Sequence, residues 1–311
     1  MKIAFVFPGQ GSQSVGMLSS FAGDATVSKV VQRASDALGQ DLGRLMAEGP
    51  AEDLGLTVNT QPCMLTAAYA MFAAWRALDG PLPEVMAGHS LGEYSALTAA
   101  GAFVLEDAVR FVRIRAQAMQ DAVPVGVGAM AAILGLDDAQ VRAACEESTQ
   151  GEVVEAVNFN APAQVVIAGH KAAVDRACLA AKQRGAKRAV ILPVSAPFHS
   201  SLLAPAREKL RERLAHVPLV APQIAVIHNV DVSTALDPAA IREALARQAA
   251  SPVRWSETIS RMAAEGVTHI VECGPGRVLA GLTKRIVPTL ESLAISDAAS
   301  LAEVRAKLSA G

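Results

Sequence analysis

Short apolar runs alternate with longer amphipathic stretches along most of this chain. The first run, Ile3–Phe7, is apolar at every position, as is typical of a strand buried on both faces of a parallel sheet. Similar runs predict strands at Glu84–Ala87, Ile224–Ile227 and His269–Glu272. The predicted helices are Val27–Leu38, Pro62–Ala77, Leu91–Ala100, Glu106–Ala122, Leu202–Leu214, Pro238–Ala250, Trp255–Ala264, Leu279–Ile286 and Leu301–Leu308. Alternating strands and helices predict an α/β fold, with a mostly parallel sheet covered by helices on both faces.

The pattern changes after Pro124, where shorter elements follow in a different order. The elements predicted there are Ala129–Leu134, Asp137–Ser148, Val153–Val157, Gln164–Ala168, Ala172–Arg184 and Ala189–Leu192. Their order is β-α-β-β-α-β, which is the ferredoxin-like arrangement. We therefore expect residues 127–194 to form an inserted ferredoxin-like small subdomain, and residues 1–126 and 195–311 to form a discontinuous large subdomain.

The composition favours a large packed core and argues against several classes of protein. Of the 311 residues, 51% are hydrophobic and 19% are charged, and the net charge is −2. We therefore expect neither a nucleic-acid-binding nor a membrane-associated protein. The four cysteines lie far apart, with no metal-type spacing and no dense disulfide framework, and are interpreted as reduced thiols of a cytoplasmic protein. No exposed heptad or apolar stripe stands out, so we expect a monomer.

The segment Gly88–Gly92 has the Gly-x-Ser-x-Gly pattern of a nucleophile elbow, a sharp turn between a strand and a helix. A predicted strand precedes it and an Ala-rich helix follows it, as the motif requires. Its two glycines are needed because the strand and the helix pass close to each other there. Ser90 is therefore the candidate nucleophile, and His89 is expected to point away from it. An incidental serine in a glycine-rich turn is the alternative interpretation.

A second glycine-rich loop, Pro8–Gln13, follows the first predicted strand. One interpretation is a dinucleotide-binding loop, but Ser14 occupies the sixth position of that fingerprint, where a glycine is required. Pro8 also interrupts the passage from strand to helix. The other interpretation is a loop whose backbone lies near a reacting group, with the Gln10 N–H as a hydrogen-bond donor.

An elbow serine needs a general base. His199 is the best placed of the six histidines, because it lies in a proline-bounded loop where the chain returns from the predicted small subdomain to the main sheet. No acid stands out as its partner, since the candidates Asp231 and Asp237 both fall in a turn-rich loop. A backbone carbonyl can serve instead, because the imidazole N–H needs only an acceptor.

Five segments together resemble the malonyl-CoA:acyl carrier protein transacylases, which act in fatty-acid synthesis and are close relatives of polyketide acyltransferase domains. In chain order they are Phe7–Gln13, Gly88–Tyr94, the helix with Arg115, Pro197–Ser200 and Glu272–Gly276. The resemblance covers essentially the whole chain. It implies an α/β-hydrolase-like large subdomain interrupted by the ferredoxin-like one, with the active site in the cleft between them.

The resemblance also implies the roles of the reacting groups. Ser90 would be the acylated nucleophile and His199 its base, oriented by the main-chain carbonyl of Gln248. The backbone N–H groups of Gln10 and Leu91 would be the oxyanion donors.

Four further residues are expected to contact the substrate. Arg115 matches the arginine that holds the malonyl carboxylate, for which a planar guanidinium is suited. His89 and Asn160 are expected to line the substrate cleft. Phe198, beside the base, should crowd an α-methyl branch and so favour malonyl.

The implied reaction is ping-pong transfer of malonyl from malonyl-CoA to the phosphopantetheine thiol of acyl carrier protein, with no metal or cofactor. Because carriers of this kind are acidic, docking needs a basic patch, and Lys182–Arg188 and Lys284–Arg285 are the candidates. A dedicated acyltransferase of a polyketide or malonate decarboxylase system would share this chemistry. The elbow suits a serine esterase or thioesterase equally well, but Arg115 and the missing acid argue against one. Nothing supports a non-catalytic binding module.

Overall fold

The computed structural model describes residues 1–194 and 196–309. Its strands are β1 (Ile3–Phe7), β2 (Val85–Gly88), β3 (Gly128–Leu134), β4 (Val154–Ala161), β5 (Gln164–His170), β6 (Arg188–Ile191), β7 (Ala225–Ile227), β8 (His269–Cys273) and β9 (Glu291–Ile295). Its α-helices are α1 (Ala25–Leu38), α2 (Leu42–Glu48), α3 (Ala51–Gly55), α4 (Thr57–Ala77), α5 (Gly92–Ala99), α6 (Leu105–Asp121), α7 (Asp138–Glu146), α8 (Lys171–Gln183), α9 (Ala204–Leu214), α10 (Pro238–Gln248), α11 (Trp255–Ala264), α12 (Val278–Ile286) and α13 (Ala298–Ser309). The predicted α/β fold class is confirmed.

The larger sheet is parallel, with the strand order β7-β2-β1-β8-β9. All five residues of the central strand β1 are buried. Phe5 packs against Phe72 and Trp75 of α4, with ring centroids 5.8 and 5.5 Å away. Its neighbour Val6 lies in the core on the other face of the sheet, together with Trp255. Burial on both faces explains why β1 is apolar at every position.

The smaller sheet is antiparallel, with the order β4-β5-β3-β6. On one face it shares a core with α7 and α8, which includes Ile133, Val165 and Cys145. On the other face Met130 and Val166 belong to the core of the larger sheet. The element order and the strand order together are those of the ferredoxin-like arrangement that the sequence predicts.

The bounds of the two subdomains stay a prediction. The strands of the smaller sheet fall within the predicted range 127–194, and those of the larger sheet fall within 1–126 and 195–311. Ser195, at the predicted boundary, lies outside the described residues.

Several elements differ from the sequence prediction. Helix α4 begins at Thr57 rather than at Pro62, which lies inside it; the sequence indicated a later start because proline is favoured in a first turn. Strand β4 continues past Val157 to Ala161 through two shifts of register. Helices α2 and α3 are too short to show a clear helical period. Strand β9 was also not predicted, because it lies at the sheet edge and three of its residues are only half-buried.

Candidate active site

Ser90 lies on a sharp turn between the end of β2 and the start of α5. Its φ of 53° falls in the left-handed region, which is strained for a residue with a side chain. A Cβ on Gly88 would lie 1.9 Å from the carbonyl of Gly92, and a Cβ on Gly92 would lie 2.0 Å from the carbonyl oxygen of Phe7. The strand and the helix thus pass so closely that only glycine fits at both positions, as the sequence predicts.

His199 reaches the hydroxyl of Ser90, with 2.7 Å between Nε2 and Oγ. Its other ring nitrogen, Nδ1, donates to the main-chain oxygen of Gln248 at 2.9 Å. Nε2 therefore carries the lone pair that can accept the serine proton. Burial and, after it, the charge of Arg115 lower the pKa of His199 to about 3. The ring is consequently neutral at pH 7, which is the state that a general base requires.

The carbonyl that orients His199 comes from the last residue of α10, where its main-chain donor among the described residues is the Ser251 N–H at a long 3.4 Å, which leaves room for a second donor. The two aspartates considered from the sequence are engaged elsewhere. Asp231 accepts a hydrogen bond from Arg247 at 2.6 Å, and Asp237 caps the start of α10. The C-terminal end of α10 also stabilises positive charge on the imidazole through the helix dipole.

Arg115 of α6 points into the same site and is only 1% exposed. Its Nη2 donates to the Ser90 hydroxyl at 3.0 Å and to Oε1 of Gln248 at 2.9 Å, while its Nη1 donates to Oε1 of Gln61 at 2.7 Å. Its guanidinium carbon lies 5.2 Å from the ring centroid of Tyr94. No carboxylate among the described residues comes within ion-pair distance of it. A buried guanidinium beside the nucleophile therefore has only neutral partners.

The backbone N–H groups of Gln10 and Leu91 have no hydrogen-bond acceptor within the described part of the chain. Both residues line the cavity that contains Ser90. The loop that carries Gln10 is tied to α4, because the Thr57 hydroxyl donates to Oε1 of Gln10 at 2.5 Å. These two donors are free to bind an oxyanion, and that role stays a prediction.

Ser90 lies in a small cavity with a volume of about 130 Å³. Its remaining lining combines polar groups with an apolar wall, supplied by Gln61, His89, Arg115, Met119, Met130, Asn158, Leu192, Val194, Phe198 and His199. Phe198 and His89 are among these lining residues, and their contact with the substrate stays a prediction. Asn160 reaches the cavity only indirectly, because its Oδ1 is bonded to Nε2 of His89 at 2.8 Å. From strand β4 it is Asn158 that lines the cavity.

Asn229 was missed by sequence reasoning, yet it holds the elbow in place. Its Nδ2 donates to the Gly88 carbonyl, and its Oδ1 accepts from the Ser90 N–H, both at 2.7 Å. It follows β7, the strand next to β2. Its position at the carboxyl end of a parallel strand could have identified it as a candidate, because functional groups gather at that edge of such sheets.

The described residues contain no group of three or more His, Cys, Asp or Glu side chains that could hold a metal ion. None of the helices described is long and apolar enough to cross a membrane. What the cavity does contain is a serine, a neutral histidine, a buried guanidinium and two free backbone donors. This combination of groups is typical of serine enzymes that form an acyl intermediate.

Comparison with known proteins identifies the family. Residues 4–308 match the acyl transferase domain family, and the chain belongs to it. The malonyl CoA-acyl carrier protein transacylase of Salmonella typhimurium is 54% identical over 301 residues, which cover 96% of this chain and 97% of the relative. The protein of the same name from Bacillus subtilis is 45% identical over 298 residues, covering 95% of this chain and 94% of the relative.

Solved structures agree in fold over almost the whole chain. The acyl-carrier-protein S-malonyltransferase of Burkholderia pseudomallei is 64% identical, with a TM-score of 0.97, covering 98% of this chain and 100% of that one. A malonyl-transacylase solved in complex with a type II PKS acyl-carrier protein is 49% identical, also with a TM-score of 0.97, covering 99% of this chain and 100% of that one.

Proposed function

We propose that this protein transfers the malonyl group from malonyl-CoA to the phosphopantetheine thiol of acyl carrier protein, through an ester on Ser90, and so supplies malonyl-carrier for fatty-acid synthesis. The observation that carries the proposal is the buried guanidinium of Arg115, which donates to the nucleophile and has no acidic partner among the described residues. A carboxylate on the acyl group would complete this site. Relatives that cover almost the whole chain carry the matching name.

In the first half-reaction His199 takes the proton of Ser90 as its oxygen attacks the thioester carbonyl of malonyl-CoA. The N–H groups of Gln10 and Leu91 hold the resulting oxyanion, each contributing roughly 3 kcal/mol by analogy with other acyl-transfer sites. Collapse of the tetrahedral intermediate breaks the carbon–sulfur bond. The CoA thiolate leaves and takes the proton from His199, and malonyl remains as an ester on Ser90.

The second half-reaction runs the same steps in reverse with a different thiol. His199 deprotonates the phosphopantetheine thiol of the carrier, whose sulfur attacks the malonyl ester. The Ser90 oxygen leaves and recovers its proton from His199. One thioester is exchanged for another, so these steps balance without a redox group, a metal or a cofactor.

Arg115 and Phe198 set the choice of acyl group. The guanidinium can pair with the malonyl carboxylate through two parallel hydrogen bonds. Acetyl-CoA lacks that carboxylate and would leave the buried charge unpaired, which disfavours it by about 3–5 kcal/mol. Phe198 lines the cavity next to His199 and crowds an α-methyl branch.

The proposal extends to the compartment, the oligomeric state and the partner of the protein. We place the protein in the cytoplasm as a monomer, with two subdomains at the bounds given above. Its four cysteines are all buried and unbridged, which fits a reducing compartment. The partner is an acyl carrier protein, as in the related malonyl-transacylase complex. Because that carrier is of the type II PKS kind, a dedicated polyketide role is the second candidate.

A transfer assay tests the proposal. Protein, malonyl-CoA and phosphopantetheinylated acyl carrier protein are mixed, and the carrier is followed by intact mass spectrometry. We expect malonyl-carrier to form faster than free malonate. Rapid release of free malonate with little transfer would instead indicate a thioesterase. A panel of fatty-acid and polyketide carriers then separates the two candidate roles by their relative kcat/KM.

A further inference from the structure

Glu93 is a fully buried carboxylate that the proposed mechanism does not use. It lies in the first turn of α5, three residues after the nucleophile, and is 0% exposed. Its Oε1 accepts from Nδ1 of His228 at 2.8 Å, and its Oε2 accepts from the Asn229 N–H at 3.0 Å and from Nε2 of Gln248 at 2.8 Å. All three partners donate to it, which is the arrangement that an ionised carboxylate needs.

The Gln248 side chain connects Glu93 to the guanidinium. Its Nε2 donates to Glu93 and to the Ser90 carbonyl, and its Oε1 accepts from Arg115 at 2.9 Å. The amide can adopt only this orientation. If it were flipped, its NH2 group would face the guanidinium and its oxygen would face the carboxylate, and both contacts would be repulsive. Glu93 therefore determines which end of Gln248 meets Arg115.

Gln248 also holds the general base, because its main-chain oxygen accepts a hydrogen bond from His199. Burial lowers the pKa of Arg115, and the charge of Glu93 is among the influences that oppose this shift. Glu93 thus acts on the site from a distance in two ways: through the orientation of an amide and through its charge.

We propose that Glu93 is a positioning residue for acyl-group selectivity: by holding the Gln248 amide it keeps Arg115 aimed at the substrate carboxylate and serves as its remote counter-charge. The inference rests on the proposed function. It assigns Glu93 no contact with the substrate. His228, the other side-chain partner of Glu93, contacts Oε1, whereas Gln248 contacts Oε2, so it lies outside the Glu93–Gln248–Arg115 relay and is a buried charge partner of Glu93.

Binding measurements in a Ser90→Ala background separate this role from a structural one, because no turnover occurs. Dissociation constants for malonyl-CoA and acetyl-CoA are measured by calorimetry for Ser90→Ala alone, with Glu93→Gln, and with His228→Gln. We expect Glu93→Gln to weaken malonyl-CoA binding about tenfold, by analogy with the lower end of effects seen for residues that orient metal ligands. Acetyl-CoA binding should change less than about twofold. The matched control His228→Gln should leave the ratio of the two constants unchanged.

Equal weakening of both thioesters by Glu93→Gln, or an equal loss of selectivity in His228→Gln, would overturn the inference. If Ser90→Ala alone does not prefer malonyl-CoA, the proposed function fails instead. If Glu93→Gln does not fold, as judged by circular dichroism, Glu93→Asp replaces it. That variant keeps the charge but shortens the reach, so it should still weaken malonyl-CoA binding selectively, and a parallel loss for both thioesters would contradict the proposal.

Discussion

The two sheets contribute differently to the candidate site. Elements of the parallel-sheet region carry Ser90, His199, Arg115 and Gln248, which are joined by hydrogen bonds of 2.7 to 3.0 Å. The antiparallel sheet contributes cavity wall, such as Met130 of β3. Reacting groups need fixed distances, which buried and crowded backbone provides. A wall needs mainly shape, which a smaller unit with its own core can supply.

The two regions are nevertheless joined along β4. The Phe159 N–H donates to the Val253 carbonyl at 3.0 Å, and the Val253 N–H donates to the Val157 carbonyl at 2.8 Å. Val253 follows α10, the helix that ends at Gln248. The wall is thus attached close to the residue that orients the base. Substitutions in the parallel-sheet region should affect chemistry and selectivity, whereas those in the antiparallel sheet should affect fit.

The largest effect should come from the base. We expect His199→Ala to slow acylation of Ser90 by malonyl-CoA about 10³-fold, because a positioned base contributes about 10²- to 10⁴-fold. Rapid-quench measurement of CoA release checks this. His216→Ala, on an exposed histidine outside the cavity, is the control and should change nothing. A loss below tenfold in His199→Ala would show that another group takes the proton.

The next largest effect should fall on substrate choice. We expect Arg115→Met to lower kcat/KM for malonyl-CoA about 10²-fold, because the malonyl carboxylate then has no cationic partner in the buried site. The value for acetyl-CoA should be retained or raised, because acetyl has no carboxylate to pair. A competition assay with both thioesters measures the ratio. Arg110→Met, on an exposed arginine of the same helix, is the control. Unchanged selectivity in Arg115→Met would remove the carboxylate-binding role.

Because the elbow is crowded, adding a side-chain atom there should lower the stability of the protein. We expect Gly92→Ala to lower the free energy of unfolding by about 3 kcal/mol, because the new Cβ would lie 2.0 Å from the Phe7 carbonyl oxygen. Gly281→Ala in α12 is the matched control. A Cβ there meets nothing within 4 Å, so this variant should gain about 0.5–1 kcal/mol from helix propensity. Chemical denaturation measures both, and equal effects would refute the close passage of strand and helix.

A smaller effect is expected on how the stability of the protein depends on pH, because the base His199 is buried. Burial and Arg115 lower the pKa of His199 from 6.5 to about 3. Below pH 6.5, His199 therefore binds a proton in the unfolded chain but not in the folded chain. The contribution of His199 to stability is therefore fully present above pH 6.5 and is lost as the pH falls toward 3. Between pH 7.5 and 5.5 wild type should lose about 1 kcal/mol more than His199→Gln. Parallel pH dependence of the two proteins would contradict the buried neutral ring.

The smallest effect should come from the antiparallel sheet. Asn160→Ala removes the hydrogen bond to His89 without touching the reacting groups. We expect KM for malonyl-CoA to rise roughly threefold, which is near the lower end of what one hydrogen bond between neutral groups contributes, with kcat unchanged. Steady-state kinetics checks this, with Asn59→Ala, on a half-buried asparagine of α4 outside the cavity, as the control. A large fall in kcat would show that β4 contributes to the chemistry.

Much of the fold could be predicted because its signals are local. The apolar run of β1 and the order of elements after Pro124 each depend on residues close in sequence, and both predictions are confirmed. The start of α4 and the edge strand β9 could not be predicted. Tertiary packing overrides the usual position of Pro62 in a first turn, and an edge strand has no need of a continuous apolar run.

The residues of the candidate site also differ in whether a local sequence signal identifies them. A short motif identifies Ser90, whereas the double engagement of Gln248, through its carbonyl and its side chain, depends on partners far away in the sequence. Asn229 and Glu93 likewise act only through neighbours that the fold brings together. Such roles require coordinates, because no spacing in the sequence encodes them.

The most direct measurement asks whether Ser90 holds the acyl group between two thioesters. The protein is mixed with malonyl-CoA in the absence of carrier, quenched within milliseconds, and examined for released CoA and for the modified peptide. We expect a burst of one CoA per chain, malonyl on the Ser90 peptide, and its discharge when phosphopantetheinylated carrier is added. CoA release only in the presence of carrier, or malonyl on any other residue, would contradict the ester intermediate.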